Sequence, residues 1–408
     1  VDSLPCGHIA VAAQRRMCPH LNAEHDQVYY RLLTGRGMDY DLVCQDCAGQ
    51  ADPAATLTEV CLGCAEAVDE DWSDVLGWRG EPEIRLRDAE LTGTWTSRAS
   101  AAEPLNPRCL APLPDGWLAL TAHGLVHLGA TADRPVAARI ELPAETPRQY
   151  LDRVHGPALH TGPDGRFAAV VTDYGRYGTV LDLRTGRAVR SLDRGAYHEE
   201  TTPFPFAFLD AARVVTATGW NRLEIIDLGT GQSLGGDEPA SYFRGALTPN
   251  PSSTRVLDDG WVWSPVGMPR ALDVGALLRG EEHEDRLTFR AYAWDQPVAW
   301  VDEDVVAIQR IGQDDEAMID GVELYDARRV VRTGMFAGPA GPMWGFGGLL
   351  HVSAAEGFEV WDPVEGARVG LVEGFRPQAH NPVTGAFAEL RDGVLRTVAD
   401  IRWPAVGG

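Results

Sequence analysis

Six of the seven cysteines fall in the first 64 residues, at spacings typical of metal ligands. Cys44-Gln-Asp-Cys47 and Cys61-Leu-Gly-Cys64 are two C-x-x-C knuckles separated by thirteen residues, slightly closer than in a zinc ribbon. Each follows a short apolar stretch, and no βαβ pattern surrounds either. Repeated in this way, C-x-x-C points to tetrahedral thiolate coordination of Zn²⁺ rather than to a redox dithiol. Upstream, Cys6-Gly-His8 and Cys18-Pro-His20 share a second spacing and bring four more ligands, enough for a second zinc. Two pairings are open. The C-x-His pairs could share one ion and the knuckles the other, or each C-x-His pair could join one knuckle. A site closed by four protein ligands has no position for substrate, so a structural metal is expected. Residues 1–75 are too few and too polar to hold a core unaided, and a bound metal would contribute the missing folding free energy.

The elements that carry these ligands belong to an acidic chain of 408 residues with 59 Asp and Glu against 36 basic residues, all of them arginine. Without lysine there is no phosphate-loop nucleotidase, no protein kinase and no Schiff-base enzyme. A formal net charge of −23 argues against nucleic acid and anionic membrane as partners. The stretch Val1 to Ala13 lacks the basic-then-apolar order of a signal peptide, and no apolar run is long enough to span a bilayer. A cytoplasmic location is expected. The Ala/Arg/Gly-rich, lysine-free composition suggests a GC-rich bacterial genome.

After residue 100 the chain repeats. The openings are Arg108-Cys109-Leu110, Gly156-Pro157-Ala158, Phe204-Pro205-Phe206, Arg244-Gly245-Ala246, Gln296-Pro297-Val298, Gly341-Pro342-Met343 and Arg376-Pro377-Gln378. Their mean spacing is about 45 residues, the period of a four-stranded propeller blade. Turn signals follow the first strands, as in Pro114-Asp115-Gly116 and Pro163-Asp164-Gly165. Third strands end on apolar-Asp followed by a Gly-containing turn: Leu181-Asp182, Ile226-Asp227, Tyr325-Asp326 and Trp361-Asp362. With this period and these strand ends, residues 80–403 resemble the WD-repeat-like β-propeller superfamily. The Gly-His dipeptide of true WD repeats is missing. The expected fold is all-β: a seven-bladed propeller of four-stranded blades over 80–408, behind a zinc-binding domain at 1–75. The last copy supplies only three strands, so a strand from about 83–96 is expected to complete it and close the ring.

Loops joining strands 2–3 and 4–1 emerge on one face of such blades, and this set holds most of the long loops. Tyr174, Tyr177, Tyr197, Trp220, Tyr292 and Trp294 fall there, with the acidic runs 281–285 and 314–316. Long loops on a rigid scaffold commonly carry function, and acidic charge would attract a basic protein partner. Arg108, Arg244 and Arg376 occupy equivalent blade positions, where converging guanidinium groups could hold a carboxylate or phosphate. No nucleophile–base constellation assembles from the sequence. His160 and His380, at equivalent first-strand positions, are expected to pack near the channel, and Cys109 to be a buried small hydrophobe. The expected function is a zinc-bearing protein-binding scaffold contacting its partner through Tyr174, Tyr177, Trp220 and the three arginines. The alternative is a hydrolase or lyase that binds an anionic substrate at the channel mouth. The four ligand pairs also bear on a cross-braced RING finger, but the gap from His20 to Cys44 is far longer than that family allows.

Overall fold

The computed structural model describes residues 14–21, 29–33, 40–48, 50, 53–61, 64–65, 68, 84–137, 140–148, 150–151, 153–238, 241–263, 265–281, 286–312, 315 and 318–402. Cys6, His8 and most of both acidic runs lie outside them.

Near the N-terminus, four short strands form a mixed sheet: β1 (Gln14–Met17), β2 (Tyr29–Leu33), β3 (Tyr40–Cys44) and β4 (Thr58–Cys61), in the order β2-β3-β1-β4. β1 is parallel to β3, with Met17 beside Leu42. It is antiparallel to β4, with Gln14 opposite Cys61. Met17, Leu42, Val43 and Val60 are buried with Cys18, Cys44 and Cys47 in one small core. The helical turn α1 (Gln45–Ala48) continues directly from β3, so the first knuckle straddles a strand-to-helix bend.

From residue 110 the chain forms successive antiparallel sheets, the architecture of a β-propeller. They span 110–137, 156–193, 206–237, 247–273, 298–337, 343–373 and 379–402. Strands inside such a stack are covered on both faces and therefore read as continuous apolar runs. In Phe167–Asp173 every residue is buried. The cores lie between neighbouring sheets. Ala158, Phe167 and Val180 pack against Phe206, Val214 and Ile226 of the next sheet. Leu110, Trp117 and Leu128 of the first pack against Ala379, Leu390 and Leu395 of the last.

The repeated Asp at the third-strand ends has a local cause. Asp182 Oδ1 accepts from Arg184 N at 2.9 Å, and Asp362 Oδ1 from Val364 N at 2.8 Å. Each fixes the turn into the fourth strand, where Gly186 and Gly366 have φ of 66° and 61°. Cys109 is fully buried, and burial pushes its thiol up to about 11.

Two details differ from the sequence pattern. β6 (Thr92–Ala99) pairs antiparallel with Val394–Arg402 and supplies the outer strand of the last sheet. The residues before it do not join that sheet. β5 (Arg85–Leu86) lies parallel to Ala367 and Arg368 as a fifth strand of the preceding sheet. Ion pairs hold the crossing, with Arg368 Nη2 2.7 Å from Asp88 and Arg87 Nη1 3.1 Å from Glu365. The sheet over 247–273 has three strands, not four. In place of a fourth, the helix Val274–Arg279 is capped by the Asp273 side chain on Ala276 N at 2.7 Å and ends at Gly280 with φ 67°. Leu277 packs the helix onto Ile225 and Leu272. A Cβ on Gly235 would lie 2.5 Å from Leu277 O, so only glycine allows this approach.

The first strands surround a channel of about 780 Å³ that opens among the short 1–2 turns. At its other end, the Tyr174 hydroxyl donates to the Asp295 carboxylate. These residues belong to sheets that are not neighbours, so they meet only over the axis. Among the described residues no helix is long and apolar enough to cross a membrane.

Candidate metal centre and long-loop face

Cys18, His20, Cys44 and Cys47 bring their ligand atoms within 4.8 Å of one another, an arrangement that could bind a metal ion. The sheet register explains why. Because β1 and β3 are parallel, their C-terminal ends coincide, and Cys18 follows Met17 just where Cys44 closes β3. Cys18 N donates to Leu42 O at 2.9 Å, fixing the end of β1 to β3. His20 Nδ1 lies 3.2 Å from Cys47 Sγ and 3.7 Å from Cys44 Sγ. The edge of a tetrahedron with zinc–sulfur bonds of about 2.3 Å is of similar length.

The sulfurs are also prepared as ligands. Cys44 N–H donates to Cys18 Sγ at 3.2 Å, and Thr56 Oγ1 to Cys47 Sγ at 3.6 Å. Burial raises the Cys18 thiol. Burial also pushes Cys44 up, but hydrogen bonds from the Cys47 backbone and His20 outweigh it and bring that thiol down to about 7. Three buried or nearly buried cysteines, unoxidised and joined by one histidine, fit a closed structural site.

Of the two pairings open in the sequence, the structure brings the second C-x-His pair to the first knuckle. The knuckles themselves stand apart. Cys61 is opposite Gln14, four residues before Cys18 along β1, or about 13 Å at strand rise. A single ion cannot bridge that distance. Cys64 is partly buried against the same small core. Cys6, His8 and the side chain of Cys61 lie outside the described residues. A cross-brace would alternate the pairs, whereas here the second joins the third.

On the long-loop face of the sheets, aromatic rings from separate loops pack into one cluster. Phe243 stacks on Trp261 at 4.2 Å and 9°. Trp261 meets Trp263 at 5.1 Å and Trp294 at 5.4 Å. Trp220 contacts Phe243 at 5.5 Å and Tyr197 at 5.1 Å, and His198 bridges Tyr197 to Trp263. Trp263 is 54% and Tyr197 58% exposed, so the cluster is buried at its base and open at its top. Three indole N–H groups within it, on Trp220, Trp261 and Trp294, have no partner among the described residues. Asp259 Oδ2 has none either, and burial holds that carboxyl well above its usual range. Glu199 and Glu200 stand beside the cluster, 3.6 Å and 3.7 Å from Arg148.

The expected partner-binding residues are distributed differently. Trp220 joins the cluster. Tyr177 lies under the Arg176 guanidinium at 4.9 Å. Tyr174 is buried in its bond to Asp295. The three arginines do not form one open anion site. Arg108 pairs with Asp173 at 2.5 Å, and Asp173 also accepts from Phe204 N at 2.9 Å, so the pair ties three successive sheets together. The Arg244 side chain is fully buried between Asp237 and Asp258. Arg376 donates to the Ala355 carbonyl. Carboxylates thus neutralise Arg108 and Arg244, while Arg376 is held by a backbone carbonyl. Phe243, Trp261 and Trp263 were not singled out from the sequence, although the alternation Trp261-Val262-Trp263 is a visible signal.

No protein-family model matches the chain, and no curated protein is similar to it in sequence. Its fold is nevertheless common, with 1226 solved chains resembling it, so likeness of fold identifies no function by itself. One such chain comes from a structure titled "Crystal Structure of Mitotic Checkpoint Complex". It is 11% identical with a TM-score of 0.51, and the match covers 81% of this chain and 99% of that one.

Proposed function

We propose that this chain is a zinc-bearing, seven-bladed β-propeller that acts as a scaffold, recruiting a protein partner through its long-loop face. The aromatic cluster carries the reading. Rings with apolar bases and exposed tops, such as Trp263 and Tyr197, are the side chains that dominate protein interfaces. The chain's −23 charge and the neighbouring Glu199 and Glu200 favour a partner segment with basic residues around an apolar anchor. Likeness to a chain from an assembled complex agrees with such a role. In this reading residues 1–75 form a separate domain. Zn²⁺ is held by Cys18, His20, Cys44 and Cys47, and a second ion by Cys6, His8, Cys61 and Cys64. Both ions are structural, and the protein works in the cytoplasm. Comparative capture from lysate of the source cell tests it. Proteins retained by the wild type are expected to be lost with the Trp263→Ala/Tyr197→Ala variant. Retention of the same set by the folded variant would overturn the assignment.

A further inference from the structure

The channel is a second candidate site, on the face opposite the aromatic cluster. Its volume of about 780 Å³ is the size of a small-molecule pocket. Its wall is built from first strands and contains no arginine. Its acidic members, Asp302 and Glu303, stand in a strand-end turn, where each already accepts from backbone or side-chain groups. The wall therefore offers nothing to an anion. Several of the other polar side chains are occupied. Thr161 donates to Pro112 O at 2.6 Å, Asn381 to Leu113 O at 3.0 Å, and Trp300 to Thr248 O at 2.8 Å.

Among the described lining residues, His380 stands out by a buried polar atom that is left unpaired. It is 9% exposed, lies flat on Phe387 at 4.5 Å and edge-on to Phe346 at 5.5 Å, and its Nε2 has no partner among the described residues. A buried ring nitrogen left in this state costs free energy unless something supplies the bond. Phe346, at the mouth, lines the route to it. We infer that the channel binds a neutral, mainly apolar ring compound bearing one hydrogen-bonding group, entering between the short turns and reaching His380.

N-phenyl-1-naphthylamine, neutral and with a single N–H, is the probe. Wild-type protein is expected to bind it saturably, with one molecule per chain and enhanced probe fluorescence. His380→Gln, which keeps a hydrogen-bonding group, should bind within a few-fold of wild type. His380→Leu should weaken binding by about tenfold, the worth of one hydrogen bond. Should His380→Leu not fold, Phe346→Ser, a change at the partly exposed mouth, decides in its place and should weaken binding comparably. Absence of saturable binding by the wild type, or undiminished affinity in the deciding variant, overturns the inference.

Discussion

Tyr174 and Asp295 are 121 residues apart in sequence, yet the Tyr174 hydroxyl donates to the Asp295 carboxylate across the axis of the molecule. Arg153 Nη1 stands 3.3 Å from the same carboxylate, and Arg153 Nη2 donates to Trp294 O at 3.2 Å. Burial raises the Asp295 carboxyl, and the Tyr174 bond acts against that rise. This cluster bridges the long-loop end of the channel and leaves the short-turn end as its opening. Tyr174→Phe removes one donor and leaves the carboxylate under-satisfied. A loss of about 1–3 kcal/mol in denaturant unfolding is expected, with faster amide exchange in loop residues 290–296. Unchanged stability would show that the bridge is not a constraint.

Arg244 answers the question of anion binding. Its side chain has no exposure, and it faces Asp237 and Asp258, the latter at 2.9 Å. Arg244→Met strands two buried carboxylates and should cost about 3–5 kcal/mol. Phosphate should not stabilise the wild-type protein, because the charge it would seek is already neutralised. A phosphate-dependent rise in Tm that is abolished in Arg244→Met would restore the anion site.

Metal removal should act locally. The sheet of β1 to β4 has a small core in which three cysteines are themselves members. On the proposed reading, chelation or Cys47→Ser should empty the site and melt this sheet, since binding free energy at such sites is folding free energy. Loss of amide protection is expected over residues 14–61, while the 110–402 sheets keep theirs. Retained protection at residues 14–61 after complete metal removal would contradict a structural role.

Acid should weaken the seam between the last two sheets. His351 and His380 are buried beside Phe358 and Phe387. Burial depresses them to about 4 and about 3. Above pH about 6.5 both are neutral, folded or unfolded. As pH falls from there, the unfolded chain takes up protons that the folded chain refuses, so stability falls. The loss levels off only below the folded values. For His351 it is on the order of 3 kcal/mol in full. Urea unfolding between pH 6.5 and 5, above most carboxylate titrations, should show this decline in the wild type and a shallower one in His351→Leu. Identical slopes would sink the assignment.

The periodic parts of the fold were legible because their causes are local. Pro and Gly open most of the first strands, and an Asp side chain fixes four of the third-strand turns. The missing strand of the last sheet followed from the count of strands after Arg376. What was not legible depended on distant partners. The helix Val274–Arg279 is too short for its periodicity to register, although Asp273 and Gly280 stand at its ends as caps. The metal pairing could not be read because ligand spacing is the same in either arrangement. Only the parallel alignment of β1 with β3 puts Cys18 beside Cys44. Trp261 enters the aromatic cluster through a small sheet in which Val266 and Gly267 pair with Ala291 and Arg290, a contact no local pattern announces.

Hydrogen–deuterium exchange on the complex with a captured partner tests the scaffold reading most directly. Protection on binding is predicted in residues 195–200, 219–222, 241–245 and 259–267, the loops that carry Tyr197, Trp220, Phe243 and Trp263, with the 1–2 turns unchanged. Protection confined to the turns at 112–116, 161–166 and 345–349, with none in the aromatic loops, would place the partner on the opposite face and contradict the account.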